Sequence, residues 1–318
     1  MVIRVLGQKA RYLPFVVTLG MAVGLSLGAL AVDSYAQVGS TLDLAVCARS
    51  KALGGVTLGI PANCESVFSN PAWLGYSEGV SVLSTVGLRP GICGCGHIAA
   101  SAGGFGLAMH YFDFGSIPKT DEFGNTIGEL SYRTIGLVAG AGAVLGDLPI
   151  LSDSLVAECV GLGMSLKLLK INTVDPGDGL GFAADSSFLL HADAPPFLQP
   201  MLSCISFGIV MENVLSKPIR YDTGHSEPWD REVSIGGSIE LADQWLLALD
   251  LVGNGCVHMG LEWIPVSMLA VRVGAQVGDL WMLTTGLGLR MENTQLDLAF
   301  CTHPYLPNEL CGSVVVDW

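Results

Sequence analysis

Past residue 78 the chain alternates between apolar and polar or small residues with a period of two. Four runs show it most clearly. Val233, Ile235, Ile239 and Leu241 interleave with Glu232, Ser234, Gly236, Ser238 and Glu240. Trp245, Leu247, Leu249 and Leu251 interleave with Gln244, Leu246, Ala248 and Asp250. Val257, Met259, Leu261 and Trp263 do so with His258, Gly260 and Glu262, and Leu269, Val271, Val273, Ala275 and Val277 with Ala270, Arg272, Gly274 and Gln276. Successive strand side chains point to opposite faces, so each run has one apolar face and one polar or small face. A soluble β-sandwich also alternates, but its polar face carries more Lys and Glu. The pattern predicts an all-β protein, a membrane β-barrel with its apolar face toward lipid and its polar face toward the lumen.

Extended along the chain, the same reading gives strands at about 79–88, 96–102, 104–114, 130–145, 156–172, 180–191, 202–213, 231–241, 244–253, 256–264, 268–277, 280–291, 294–302 and 311–318. That is about 14 antiparallel strands, an even number as single-chain bacterial barrels require. The longest connections, 115–129 and 214–230, follow the third and seventh strands. The turns at 242–243, 265–267 and 292–293 follow even strands and are minimal. This parity places both ends of the barrel in the periplasm and the long loops outside. The last run keeps the alternation, with Val314, Val316 and Trp318 outward, and ends on an aromatic residue suited to the membrane interface.

Composition narrows the reading. The mean hydropathy is +0.53, yet only one stretch is long and apolar enough to be a membrane helix, and it lies at the N-terminus. The 41 glycines suit strands packed against a filled lumen. Acidic residues outnumber basic ones 29 to 15 with no basic patch, which argues against a nucleic-acid partner. Arg4, Lys9 and Arg11 precede an apolar run from Leu13 to Val32, and Ser34-Tyr35-Ala36 supplies small residues for cleavage. Residues 1–36 therefore read as a signal peptide, 37–78 as an N-terminal plug and 79–318 as the barrel.

The 37–78 stretch loses the alternation. Small residues, paired glycines (Gly54-Gly55) and Asn70-Pro71 suit a compact irregular element with a short helix. The run Phe68-Ser69-Asn70-Pro71-Ala72-Trp73-Leu74-Gly75 resembles the N-terminal signature of the PorV/PorQ family of outer-membrane proteins. Its Asn70-Pro71-Ala72 core is shared with the wider FadL-like group of hydrophobic-compound transporters. Ala108 to Gly115, Gly208 to Val214, Leu247 to Asp250, Gly260 to Trp263, Val271 to Gly274 and Gln295 to Phe300 resemble further strands of that family, in order. The resemblance implies a fourteen-stranded barrel in the bacterial outer membrane, in contact with its lipid, with the N-terminal segment plugging the lumen. FadL-like members pass small hydrophobic molecules; PorV-like members hold cargo or partner proteins in type IX secretion. A barrel with no ligand is the third possibility. This chain is short for a FadL protein and lacks extended ligand-gathering surface loops.

Two groups of residues are candidates for a site. Asn70, Pro71 and Ala72, with Phe68, Trp73 and Leu74, either face a hydrophobic ligand or form a tight turn that seats the plug, Asn70 capping backbone groups. Lys167, Glu240, Asp250, Glu262, Arg272 and Asp297 point inward by alternation. They form either a polar conduit or a network of paired charges filling a narrow lumen, since an unpaired buried charge is costly. Arg272 lies one strand from Glu262, which makes that pair the leading candidate for a bridge. Nine cysteines, at an odd count and without CxxC spacing, read as small apolar fillers, with a Cys47–Cys64 disulfide possible. The six histidines have no metal-ligand spacing, and no P-loop or GxSxG elbow occurs, so the sequence implies no metal, no cofactor and no enzyme.

Overall fold

The computed structural model describes residues 47–318 except 63, 151–153, 155, 174–176 and 200. The expected signal peptide and the first residues of the expected plug lie outside the described residues. The described part contains a one-turn helix α1 (Ala48–Ala52), 3-10 turns at Cys64–Val67 and Pro71–Tyr76, and fifteen strands. The strands are β1 (Val80–Arg89), β2 (Cys93–Ala102), β3 (Phe105–Thr120), β4 (Thr126–Val144), β5 (Val160–Thr173), β6 (Gly179–Asp193) and β7 (Cys204–Tyr221). They continue as β8 (Ser226–Glu227), β9 (Glu232–Leu241), β10 (Trp245–Leu251), β11 (Val257–Val266), β12 (Leu269–Val277), β13 (Trp281–Met291), β14 (Thr294–Cys301) and β15 (Glu309–Asp317).

Fourteen of them form a closed antiparallel barrel; β8 is a two-residue appendage of β7. Each strand pairs with its sequence neighbours, β9 follows β7 in the ring, and β1 closes against β15 with Ser81 opposite Asp317. Closure removes the free edges that an open sheet would expose to lipid. The alternation places Leu107, Met109, Leu137, Leu162, Leu166, Leu247, Leu249, Leu283, Leu287 and Leu298 outward and exposed, in a band around the wall. Aromatic side chains stand outward near both ends: Trp245 stacked on Trp263 (centroids 5.4 Å apart), Phe105 and Trp318 at the end where β1 begins and β15 finishes, and Trp281 at the other. An exposed apolar band of this extent is stable only against lipid or another apolar surface.

Two connections differ from the sequence reading. Most of 115–129 is strand: β3 and β4 run on as a hairpin whose tip is only 121–125. Likewise β7 continues to Tyr221 and turns back through β8. The first extension is exposed on either face for much of its length, so it carries no two-residue burial period, whereas the second still buries Ile219 and Tyr221. Gly115, Pro118 and Pro218 also read as breakers, yet a bulge between Asp113 and Ser116 absorbs the irregularity in the first hairpin.

The described residues between Cys47 and Leu74 pack against the inward face of the wall. Leu53 sits over Gly260, Leu58 over Gly208 and Gly236, and Val67 and Leu74 over Gly106 and Gly140. The wall can approach the segment's backbone this closely because its inward positions there are glycines. Cβ atoms at Gly142 and Gly274 would collide with the backbone of Pro71 and Gly54.

Candidate functional site

The N-terminal segment is held differently by the two halves of the wall. Against β9–β14 it is fastened by polar bonds. Asp250 accepts the backbone N–H groups of Thr57 (2.7 Å) and Leu58 (3.1 Å), and Ser238 donates to the Gly59 carbonyl (2.7 Å). Thr284 accepts from Gly54 N–H (3.0 Å) and donates to the Ala52 carbonyl (2.9 Å). These bonds satisfy backbone groups of an irregular stretch that has few of its own partners.

The strongest fastening is ionic. Arg272, 0% exposed, places Nε 2.5 Å from Glu262 and Nη1 2.6 Å from Asp297. Glu262 stands directly across from Arg272 in the β11–β12 register, and it also receives Arg49 of α1 (3.1 Å) and Arg290 (3.2 Å). Arg49 donates in addition to the Pro61 carbonyl, and Gln295 donates to Asp297 at 2.6 Å. The network thus ties α1 to four strands of the wall. At the strand ends nearby, Lys51 pairs with Glu309, which also takes Arg89 at 3.2 Å.

Against β1–β6 the contacts are mainly apolar, with the hydroxyls of Ser81 and Ser187 as polar exceptions. Val67 and Leu74, with Phe68 packed alongside, meet Leu83, Ala99, Ala108 and Val138 in one cluster that also holds Cys47 and Cys64. That cluster continues along the wall through Leu169, Ile171 and Ala183 to Ile219, Tyr221 and Trp229 at the far end. Trp229 folds inward after β8, donates Nε1 to the Lys217 carbonyl (2.9 Å) and lies over Gly181. A ladder of rings follows the same side: Phe68, His97, His110, Phe112, Phe114 and Tyr132, with successive centroids 4.7–6.4 Å apart.

Asn70, fully buried, caps the 3-10 turn Pro71–Tyr76 by accepting from Ala72 N–H (3.2 Å), and its Nδ2 donates to the Leu58 carbonyl (2.8 Å). Ala72 N–H is shared with Ser187 of β6, and Trp73 rests against Tyr76 and His191. Phe68 and Leu74 fall on the apolar side, whereas Asn70 and Pro71 are engaged with backbone. Of the six inward charges, Glu262, Arg272 and Asp297 meet in one network, and Asp250 binds the segment by itself. Lys167 pairs with Asp185 (3.0 Å) on the opposite wall, where Ser165 and the Asn213 N–H also bond to Asp185. Glu240 sits near the end where β1 begins and β15 finishes, and accepts from the Cys204 thiol.

All nine cysteines are free. Cys47 donates to Glu65 at 2.9 Å, and burial together with that carboxylate pushes its thiol well above the ordinary range. Burial likewise pushes Cys64 up to about 11, beside Ser81 Oγ at 3.4 Å.

The residues that sequence reasoning left unassigned are Arg49, Asp185, Trp229 and the His97–His110 pair. Arg49 and Glu262 are 213 positions apart, and no local pattern links them. The histidines do carry a signal: Gly103-Gly104 is a two-residue hairpin turn with positive φ at both positions, and it is symmetric about them.

No protein-family model matches this sequence, and no curated protein matches it. Solved structures do. The CymD monoaromatic hydrocarbon channel is 12% identical with a TM-score of 0.56, over 86% of this chain and 98% of that one. The toluene transporter TbuX of Ralstonia pickettii is 12% identical at a TM-score of 0.52, over 86% and 98%. A FadL homologue from Pseudomonas aeruginosa is 10% identical at 0.51, again over 86% and 98%. The fold is that of the FadL-like outer-membrane barrels. At these identities the likeness concerns the path of the backbone, and the side-chain arrangement described above belongs to this chain.

Proposed function

We propose that this chain is a bacterial outer-membrane channel that admits small hydrophobic molecules past a plug formed by residues 37–78, after removal of the signal segment 1–36. One observation carries the reading: the N-terminal segment is bonded by ions and hydrogen bonds to β9–β14 but mainly by apolar contact to β1–β5, where the bond from Ser81 to the Cys64 thiol is a weak exception. Apolar contacts are non-directional and re-form as surfaces slide, whereas the bonded half must break specific partners to move. A hydrocarbon entering between Val67, Phe68 and Leu74 and the facing wall replaces one apolar contact with another. The bonded half stays in register meanwhile. Shared fold with proteins named as hydrocarbon channels and a toluene transporter supports the same job, without chemistry at the site. The finer assignment to PorV/PorQ, with type IX secretion cargo or partner proteins as clients, rests on the sequence resemblance alone.

The test is a reversible lock. Ser81 Oγ lies 3.4 Å from the native Cys64 thiol, so Ser81→Cys places two sulfurs where oxidation joins the 64–67 turn to β1. In cells carrying the barrel, uptake of radiolabelled toluene should fall to the barrel-free background on oxidation and return on reduction. Unchanged uptake with the cross-link verified by mass spectrometry would remove the proposed route.

A further inference from the structure

The ladder of rings on the yielding side contains two imidazoles among hydrocarbons, and they lie in a row of hydroxyls. Ser313, Thr85, His97 and His110 are consecutive register partners across β15, β1, β2 and β3. All four are at least 95% buried. Among the described residues, Ser313 Oγ, Thr85 Oγ1 and the Nε2 atoms of both histidines have no hydrogen-bond partner. A buried polar atom without a partner costs about 1–3 kcal/mol, and natural proteins keep few of them outside functional sites. Four side by side in a wall otherwise lined by Leu83, Ala99 and Ala108 call for an occupant that offers a polar atom.

The imidazole pair specifies its chemistry. Nδ1 of His97 and Nδ1 of His110 are 2.7 Å apart, so one donates and the other accepts. A neutral imidazole protonated on Nδ1 has a bare, accepting Nε2, and one that accepts at Nδ1 carries its proton on Nε2. Whichever ring holds the shared proton, the pair presents one acceptor and one donor. A hydroxyl group supplies both complements; a hydrocarbon supplies neither. A carboxylate would oppose the accepting nitrogen, and the buried cations of this region, Lys51, Arg49 and Arg272, already have carboxylate partners. The ring stacking fixes the rest of the ligand. Phe68, carried by the N-terminal segment, meets His97 edge-on with centroids 6.0 Å apart, and Phe112 continues the stack beyond His110.

We propose that His97 and His110, with Thr85, form a binding site for neutral hydroxylated aromatic compounds, whose ring takes the place of Phe68 when the 64–68 turn moves aside. The proposal rests on the channel reading above and names its preferred substrate class.

The probes are p-cresol and p-xylene, which differ by a hydroxyl in place of a methyl. Equilibrium binding to the purified full barrel in detergent, by calorimetry, should favour p-cresol by about tenfold, what two well-made hydrogen bonds leave after the apolar transfer that opposes them. Apolar transfer alone favours p-xylene, so the preference reads the polar contact. His97→Phe, which keeps the ring and removes its nitrogens, should abolish that preference while p-xylene binding persists. In the unsubstituted protein, 15N resonances of the two Nε2 atoms should move with p-cresol and stay still with p-xylene, a readout independent of how the variant folds. Equal affinity for the two compounds, or Nε2 resonances indifferent to p-cresol, would overturn the site and leave the channel intact. Failure of both compounds to bind would overturn the site and the channel together.

Discussion

Replacing Arg272 with methionine tests whether the lumen network holds the barrel together. The guanidinium is completely buried and bonds two carboxylates at 2.5 and 2.6 Å. After Arg272→Met, Glu262 still has Arg49 and Arg290, but Asp297, 2% exposed, is left with the amide of Gln295 alone. Stranding one partner of a buried ion pair costs roughly 3–5 kcal/mol, and this loss falls mainly on Asp297. Removing Asp297 as well should therefore recover much of it, leaving Arg272→Met/Asp297→Leu within about 2 kcal/mol of the parent. Arg290→Met serves as the control. That side chain is one-third exposed and Glu262 keeps two other cations, so the cost should stay near ~1 kcal/mol. Urea unfolding of the barrel in lipid vesicles, followed by tryptophan fluorescence and by the gel mobility of the folded form, gives the three values. The reasoning fails if Arg272→Met unfolds within 1 kcal/mol of the parent, or if adding Asp297→Leu makes matters worse.

Three further outcomes follow from the geometry. Asp250→Leu strands the Thr57 and Leu58 N–H groups at about 1–3 kcal/mol each, so limited proteolysis should cut within 53–60 while the wall survives. A Cβ at Gly106 meets the tip of Val67, whereas one at Gly142 meets the Pro71 carbonyl, so Val67→Ala should rescue Gly106→Ala, and no side-chain change should rescue Gly142→Ala in the same unfolding assay. Trp229→Ala removes the ring that covers the far end of the apolar cluster, at a cost of about 3–5 kcal/mol, and should raise toluene uptake.

The wall was legible because a two-residue period survives wherever one face meets lipid and the other the lumen. It vanished where water touches both faces, which is why 116–120 and 126–129 read as loop while pairing as strand. Inward charges could be picked out for the same reason, and the Glu262–Arg272 neighbourhood follows from two adjacent strands of known phase. Their wider partners could not. Arg49 reaches Glu262 only because α1 is folded back into the ring, and Lys167 finds Asp185 rather than any of the other five. Asn70 showed its type, a residue that bonds backbone ahead of a proline, but the Leu58 carbonyl it reaches is set by how 53–60 is clasped to β9–β13.

The seam between β1 and β15 carries a kinetic consequence. Val80 bonds Trp318 in both directions, N–H to carbonyl and carbonyl to N–H, so the ring shuts only when residues more than two hundred positions apart meet. Every other wall pairing except that of β7 with β9 joins consecutive strands and forms by local zippering. Until the last strand arrives, β1 and β14 are both open edges, ready to pair with any neighbouring chain. Folding should therefore show a slow final phase set by this one closure, and deleting 309–318 should leave a sheet that assembles with others of its kind.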